Sequence, residues 1–269
     1  MTPAGDVTVH DLTRFEDLRR CVDFQQEIWG QGFNELVPAA VLWVAVNTGG
    51  IVAAALDEGG DFAGFIFGIT GWRDGRPTHW SDMLAVRSDL RGRGLGLMLK
   101  RHQRDTLLRR GVDDVVWTFD PLESRNAWLN LSRLGATTRE YRRDCYGPST
   151  SPLHSLGTDR VIVRWHLASD RVRDRMDGGA VPVVDAGDAP VINPDGAAAD
   201  LDLGAPRLRL RIPADIQALK AADPDAAVQW RAATRTAFEA YFARGYEAVE
   251  LLREGADGSS YLLVRQQVR

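Results

Sequence analysis

The chain has 269 residues, 44% of them hydrophobic and 26% charged, with a formal net charge of −4. That length buries a sizeable core, as one large domain or two small ones, without a disulfide or metal staple. The acidic balance speaks against general nucleic-acid binding, which needs a basic surface to neutralise phosphates.

The first residues, Met1 to Asp6, lack the basic and apolar regions of a signal peptide. The longest apolar runs, 41–46 and 51–56, are far too short to span a bilayer. A cytoplasmic protein with no membrane partner is expected. Two cysteines far apart, Cys21 and Cys145, give neither a disulfide framework nor a zinc spacing, so two reduced thiols and no metal are expected.

In chain order, Val7-Thr8-Val9 reads as a short strand, and the spacing of Leu18, Val22 and Ile28 predicts a helix from Phe15 to Trp29. A second short helix is predicted over 39–47. Strands over 51–57 and 62–68 flank Glu58-Gly59-Gly60-Asp61, a hairpin signal. A loop carrying Gly71, Gly75 and Pro77 is expected next, then a strand over 80–86. A glycine-rich turn leads into a helix over 95–110, closed by Gly111. Residues 115–119 read as a buried strand, 126–134 as a helix ended by Gly135, and 161–167 as a strand.

Residues 169–206 are rich in Asp, Ala, Gly and Pro and read as a linker or loosely ordered insertion, with one candidate strand at 181–184. A C-terminal β-α-β-β unit follows: a strand over 208–212, a helix opened by Asp223-Pro224, and strands over 246–252 and 261–264. The helix carries Trp230, Thr234, Ala237, Phe238, Tyr241 and Phe242 on one face, either core or a homodimer contact.

The chemistry concentrates in Arg91-Gly92-Arg93-Gly94-Leu95-Gly96, between a strand and a helix. Glycines let the backbone turn tightly and come close to a ligand. The first helical turn has N–H groups without partners, and with the helix dipole these suit a phosphate. Arg91 and Arg93 add positive charge. A glycine-rich turn with no ligand is the plainer alternative. The dinucleotide pattern G-x-G-x-x-G fails because Leu97 stands at its third glycine, and the nucleoside-triphosphate loop fails because Leu97-Met98 follow Gly96. The phosphate ligand that remains is coenzyme A.

Met83-Leu84-Ala85-Val86 followed by this loop resembles motif A of the GNAT superfamily of acyltransferases, whose loop reads Arg/Gln-x-x-Gly-x-Gly/Ala. The likeness in element order spans roughly residues 7–167. A closer resemblance, over nearly the whole chain, is to a group of GNAT acetyltransferases associated with N-acylamino acid racemases. Trp117 to Leu122, Asn126 to Leu131, Leu134-Gly135-Ala136, Tyr146-Gly147, Asp159-Arg160, Trp230-Arg231 and Phe238 carry it.

The resemblance implies a mixed α/β sheet, GNAT-like, in a domain over residues 1–168, then the linker of 169–206 and the C-terminal unit of 207–269. It implies acetyl-CoA or succinyl-CoA as acyl donor and a small amine, amino-acid-like, as acceptor. The backbone of Arg91, Gly92, Arg93, Gly94, Leu95 and Gly96 would hold the pyrophosphate. Leu84, Ala85 and Val86 would bond the pantetheine arm, with Asn126 near it. The strands over 80–86 and 115–119 would run parallel and splay. Lys100, Arg101 and Arg104 would face the adenosine phosphate or form a solvated helix face.

Many GNAT enzymes place a tyrosine acid where this chain has Leu131, so the acid must come from elsewhere. Tyr146 and Tyr141 are the nearest replacements. Asp82 is the choice for the base, with Asp120 and Glu123 also near a strand end; each would otherwise be a cap or a surface charge. The choices carried forward are Asp82 and Tyr146. The competing function is a non-catalytic acyl-CoA sensor or scaffold.

Overall fold

Two β-branched residues and three alanines make a continuously buried stretch early in the chain. Ile51 to Ala55 are buried on both faces, as in a strand covered from either side. The structure is a computed structural model. It describes residues 7–30, 35–147, 155–178, 184–196, 198–255 and 258–266, so residues 1–6 and most of the candidate strand at 181–184 lie outside the described residues. The chain divides into two compact units, Met1–Val116 and Trp117–Arg269.

In the first unit the sheet order is β1 (Thr8–Asp11), β2 (Ile51–Leu56), β3 (Phe62–Arg73), β4 (Arg76–Val86), β5 (Asp114–Phe119). Every pairing is antiparallel except the last, where β4 and β5 run parallel. Strand alternation sorts the faces. Val52, Ala54, Phe65, Phe67 and Ala85 join Leu18, Cys21 and Phe24 of α1 (Phe15–Trp29) and Leu42 and Ala45 of α2 (Ala39–Asn47) in one apolar cluster. The other face, with Gly64 and Leu84, lies under α3 (Leu95–Arg109): a Cβ built on Gly64 would stand 3.3 Å from Leu99.

The hairpin β3–β4 is longer than the sequence suggests. Asp74 and Gly75 both have positive φ, 52° and 74°, and turn the chain in two residues, so the expected loop is strand up to Arg73. Pro77 is tolerated because β5 joins β4 only from Thr78 onward.

In the second unit the sheet order is β7 (Arg160–His166), β6 (Thr137–Arg142), β9 (Tyr246–Arg253), β10 (Ser259–Arg265), β8 (Arg207–Ile212). The C-terminal strands therefore extend the β6–β7 pair, β9 joining β6 through Thr138↔Ala248. Of the predicted helix at 126–134, only the first two residues are α-helical, as the end of α4 (Ser124–Ala127); Trp128–Arg133 widens into a π-helix before Gly135, whose φ is 78°. Two helices that composition did not signal are α5 (Asp170–Asp177), within the stretch read as a linker, and α6 (Ile216–Ala222).

Helix α7 (Pro224–Ala243) begins as predicted, with the Asp223 carboxylate accepting from the Ala226 N–H at 2.9 Å. Its stripe of Ala227, Arg231, Thr234, Phe238 and Tyr241 is buried, so this face is core. Phe238 stacks on Tyr141 and meets Tyr261 edge-on. None of the described helices is long and apolar enough to cross a membrane.

Candidate functional site

The turn after β4 is set by its glycines. A 3-10 turn at Ser88–Leu90 leads into Arg91, whose Nε donates to the Val86 carbonyl at 3.3 Å and folds the guanidinium back over the strand end. Gly92 and Gly94 have φ of 79° and 85°, which L-residues with a Cβ adopt at a cost. Gly94 is the N-cap of α3 and no side chain caps it. The first helical bond runs from the Met98 N–H to the Gly94 carbonyl at 3.0 Å, so the amides of Leu95, Gly96 and Leu97 have no helical acceptor.

Gly96 differs from its neighbours. It lies inside the helix with an ordinary φ, and a Cβ there would meet only Leu84 Cδ2 at 3.8 Å. Packing does not demand glycine at this position, but close approach of a ligand would. The residues 91–94 are exposed, as an anion site requires. A pyrophosphate therefore fits the donor set: free amides, open space before three glycines, a helix N-terminus and two arginines.

Strand β4 supplies an open edge beside the turn. Its parallel pairing with β5 covers Thr78↔Asp114, His79↔Val115 and Trp80↔Val116, while its antiparallel pairing with β3 continues to Val86. On the β5 side, among the described residues of the first unit, Ser81 to Val86 has no ladder partner, so Leu84, Ala85 and Val86 present a free strand edge there. The register on β3 slips between Phe67↔Met83 and Gly68↔Ser81, which makes Asp82 the extra residue of a β-bulge. Asp82 is exposed. Its carboxyl nevertheless sits above the usual range, because neighbouring groups partly desolvate it and Glu35 adds negative charge; a hydrogen bond from Trp80 offsets part of this.

Behind β4, where a solvated helix face was one reading, α3 buries Lys100 and Arg104, and only Arg101 of the three is exposed. The Lys100 ammonium donates to Ser81 Oγ (2.8 Å) and Gln103 Oε1 (3.1 Å). Gln103 Nε2 donates to His79 Nε2 (3.1 Å), so His79 carries its proton on Nδ1 and gives it to Thr70 Oγ1 (2.9 Å), which donates to the Gly49 carbonyl. The sequence hint was Gln103, which shares the apolar stripe of Leu99 and Leu107.

Burial pushes Lys100 down to about 7 and, with the Lys100 charge, His79 down to about 3. The unfolded chain then holds a proton that the folded one lacks between about 7 and 10.5 for Lys100, and between about 3 and 6.5 for His79. Stability therefore rises with pH through both windows, by up to about 1.4 kcal/mol per pH unit per group. Urea unfolding at pH 7 and pH 9 checks this: the parent should gain stability at pH 9, and Lys100→Met should lose most of that gain.

The other sequence candidates belong to the second unit. Tyr146 is half exposed, with its hydroxyl 2.7 Å from Thr118 Oγ1 and Arg160 over its ring. Tyr141 donates to Asp159 at 2.5 Å, and burial together with that carboxylate raises its phenol. Asp159 is also gripped by Arg235. Asp120 pairs with Arg231 at 2.5 Å and caps the Leu122 N–H, and Glu123 accepts from Gln217, so both are held as structural carboxylates. Asn126 lies exposed on α4, and Leu131 is fully buried. Cys21 is buried, which pushes its thiol up to about 12 and makes it inert near neutral pH. Among the described residues no three metal-ligating side chains gather.

A family model described as acetyltransferase (GNAT) family matches residues 16–131. No curated protein matches the chain. Among solved structures, the chain is similar to the ribosomal-protein-S18-alanine N-acetyltransferase from Escherichia coli, at 22% identity over 61% of this chain and 96% of that one, with a TM-score of 0.48. It is also similar to a phosphinothricin acetyltransferase from Sinorhizobium meliloti in complex with acetyl-CoA (18% identity, 59% and 86% covered, TM-score 0.48) and to an acetyltransferase of the GNAT family from Streptococcus pneumoniae (13%, 59% and 98%, 0.47). These structural likenesses are too distant to speak of substrate. The family match falls on residues 16–131, less than half of the chain, and the mixed α/β fold is GNAT-like.

Proposed function

We propose that the chain moves an acetyl or succinyl group from coenzyme A to the amine of a small, amino-acid-like molecule. The observation that carries this reading is the turn of residues 91–96, where free amides, two arginines and a helical glycine that packing does not require face open space. Bound there, an acyl-coenzyme A supplies an activated thioester carbonyl.

In this reading the amides of Gly92 to Gly96 and the charges of Arg91 and Arg93 hold the pyrophosphate. The free edge at Leu84, Ala85 and Val86 bonds the pantetheine arm as a strand would, and Asn126 adds a polar contact. An amide of β4 polarises the carbonyl. Asp82, with its raised carboxyl, takes the proton of the incoming ammonium, directly or through a water. Tyr146 gives a proton to the departing sulfur. Leu131 cannot do so: it is apolar and fully buried.

Calorimetry with acetyl-CoA and succinyl-CoA tests the cofactor site. The parent should bind at least one of them, and Gly94→Trp, a bulky residue at a positive-φ N-cap, should bind at least tenfold more weakly. No binding by the parent, or equal binding by both proteins, would overturn the assignment. Free-thiol release with pooled D- and L-amino acids then tests catalysis; binding without release by any amine would point to a sensor instead. Asp82→Asn should lower kcat about 10²-fold and remove the acidic limb of the pH profile. That limb should lie above the usual carboxylate range, and acyl-CoA affinity should stay unchanged.

A further inference from the structure

The second unit contains a cavity of about 610 Å³, within the range of small-ligand sites. Its walls come from one face of the β6–β7 pair. Thr137 stands opposite Arg164 in register, and alternation along β7 brings Ile162 and His166 to the same face. The register slips between Thr138↔Val163 and Glu140↔Ile162, so Arg139 is the extra residue of a β-bulge, a device that re-aims a side chain. Arg139 also lines the cavity, and among the described residues its guanidinium has no hydrogen-bond or ion-pair partner.

Arg171, from the first turn of α5, is a further lining residue. Its Nε donates to the Gly135 carbonyl at 3.0 Å, and its Nη2 donates to Leu131 and Val249 carbonyls and to Glu250. Its Nη1 has no partner among the described residues and is not a buried orphan, so it retains access to the open space. Beneath it, Arg171 and Arg175 share one carboxylate, Glu250, both through Oε2. Two guanidinium charges on one carboxylate leave a positive excess; Arg171 is held below its ordinary value by burial and by the Arg175 charge. Glu247, which also accepts from Thr137 and Gln266, offsets part of it, while Arg139 and Arg164 add further positive charge to the lining.

We propose that this cavity binds the oxyanion group, phosphate or carboxylate, of a small ligand through Arg139, Arg164 and Arg171. Guanidinium groups match such anions in charge and in fork geometry. An entering anion would offset the excess charge on the Arg171–Arg175 pair while the cavity excludes part of the bulk water. This site is independent of acyl transfer and of the turn at 91–96.

The test is calorimetric titration of the full chain, without any coenzyme, in low-salt buffer with inorganic phosphate in one arm and citrate in the other. The parent should bind at least one anion saturably, and the stronger arm identifies the preferred group. Arg139→Gln, at an exposed position, should weaken binding several-fold, and Arg139→Gln with Arg164→Gln at least tenfold. Gly94→Trp should bind the anion like the parent. No saturable binding in either arm, undiminished binding by Arg139→Gln, or loss of binding in Gly94→Trp would overturn the proposal, the last by assigning the anion to the turn.

Discussion

Glu250→Ala is expected to destabilise the second unit by about 3–5 kcal/mol, the usual cost of breaking a buried ion pair from one side. The Glu250 side chain is buried, and its Oε2 accepts from Arg175 Nη2 at 2.6 Å and from Arg171 Nη2 at 3.3 Å. Arg175 is itself buried, and among the described residues its Nε already lacks a partner. Removing the carboxylate leaves two neighbouring guanidinium charges without their shared counter-ion, and each repels the other. These arginines also fasten α5: Arg171 reaches three carbonyls, and the Arg175 carbonyl accepts from Arg133. Urea denaturation followed by circular dichroism reads the effect. A loss under about 1 kcal/mol would mean that water already compensates the pair. Glu250→Leu combined with Arg175→Met should recover much of the loss, because an apolar replacement of a buried ion pair is often close to neutral.

Gly68→Ala should be nearly as damaging to the first unit, by about 3–5 kcal/mol, although it adds a single methyl group. An ideal Cβ at Gly68 would stand 2.2 Å from His79 Nε2 and 2.6 Å from the Trp80 carbonyl. The carbonyl belongs to a paired strand and cannot yield. The imidazole is held by Thr70 on one nitrogen and Gln103 on the other. Moving it adds the cost of orphaned buried polar groups to that of overpacking, each about 1–3 kcal/mol. Gly71→Ala in the same strand is the control: nothing lies within 4 Å of its Cβ, and its φ is ordinary. It should change stability by less than about 1 kcal/mol. Equal melting behaviour for the two variants would refute the argument.

Both positions show how unevenly the sequence speaks. Gly68 and Gly71 look alike in it, since glycine reports permissiveness but not which neighbour requires it. Leu131 was legible as a departure from the expected tyrosine, and its burial follows from its chemistry. Asp82 was legible as a carboxylate near a strand end, yet the bulge that singles it out depends on the register with β3. Asp120 and Glu123, equally plausible in sequence, are occupied by Arg231 and Gln217, more than ninety positions away.

By itself the sequence determined what depends on neighbours along the chain. The turn of 91–96, the Asp223-Pro224 start of α7 and the strand periods follow from local backbone preference and the pairing of nearby groups. Tertiary structure alone decided what long-range burial controls. Helix α5 reads Asp-Arg-Val-Arg-Asp-Arg-Met-Asp, a polar run that predicts no core helix, yet Glu250 and the carbonyls of 131, 135 and 249 hold it in place. Lys100 reads as a surface charge, yet Ser81 and Gln103 receive it in the interior. In each case the burial of a charged side chain depends on at least one distant partner, Ser81 at 19 positions from Lys100 and Glu250 at 79 from Arg171, and these come together only when the sheet forms.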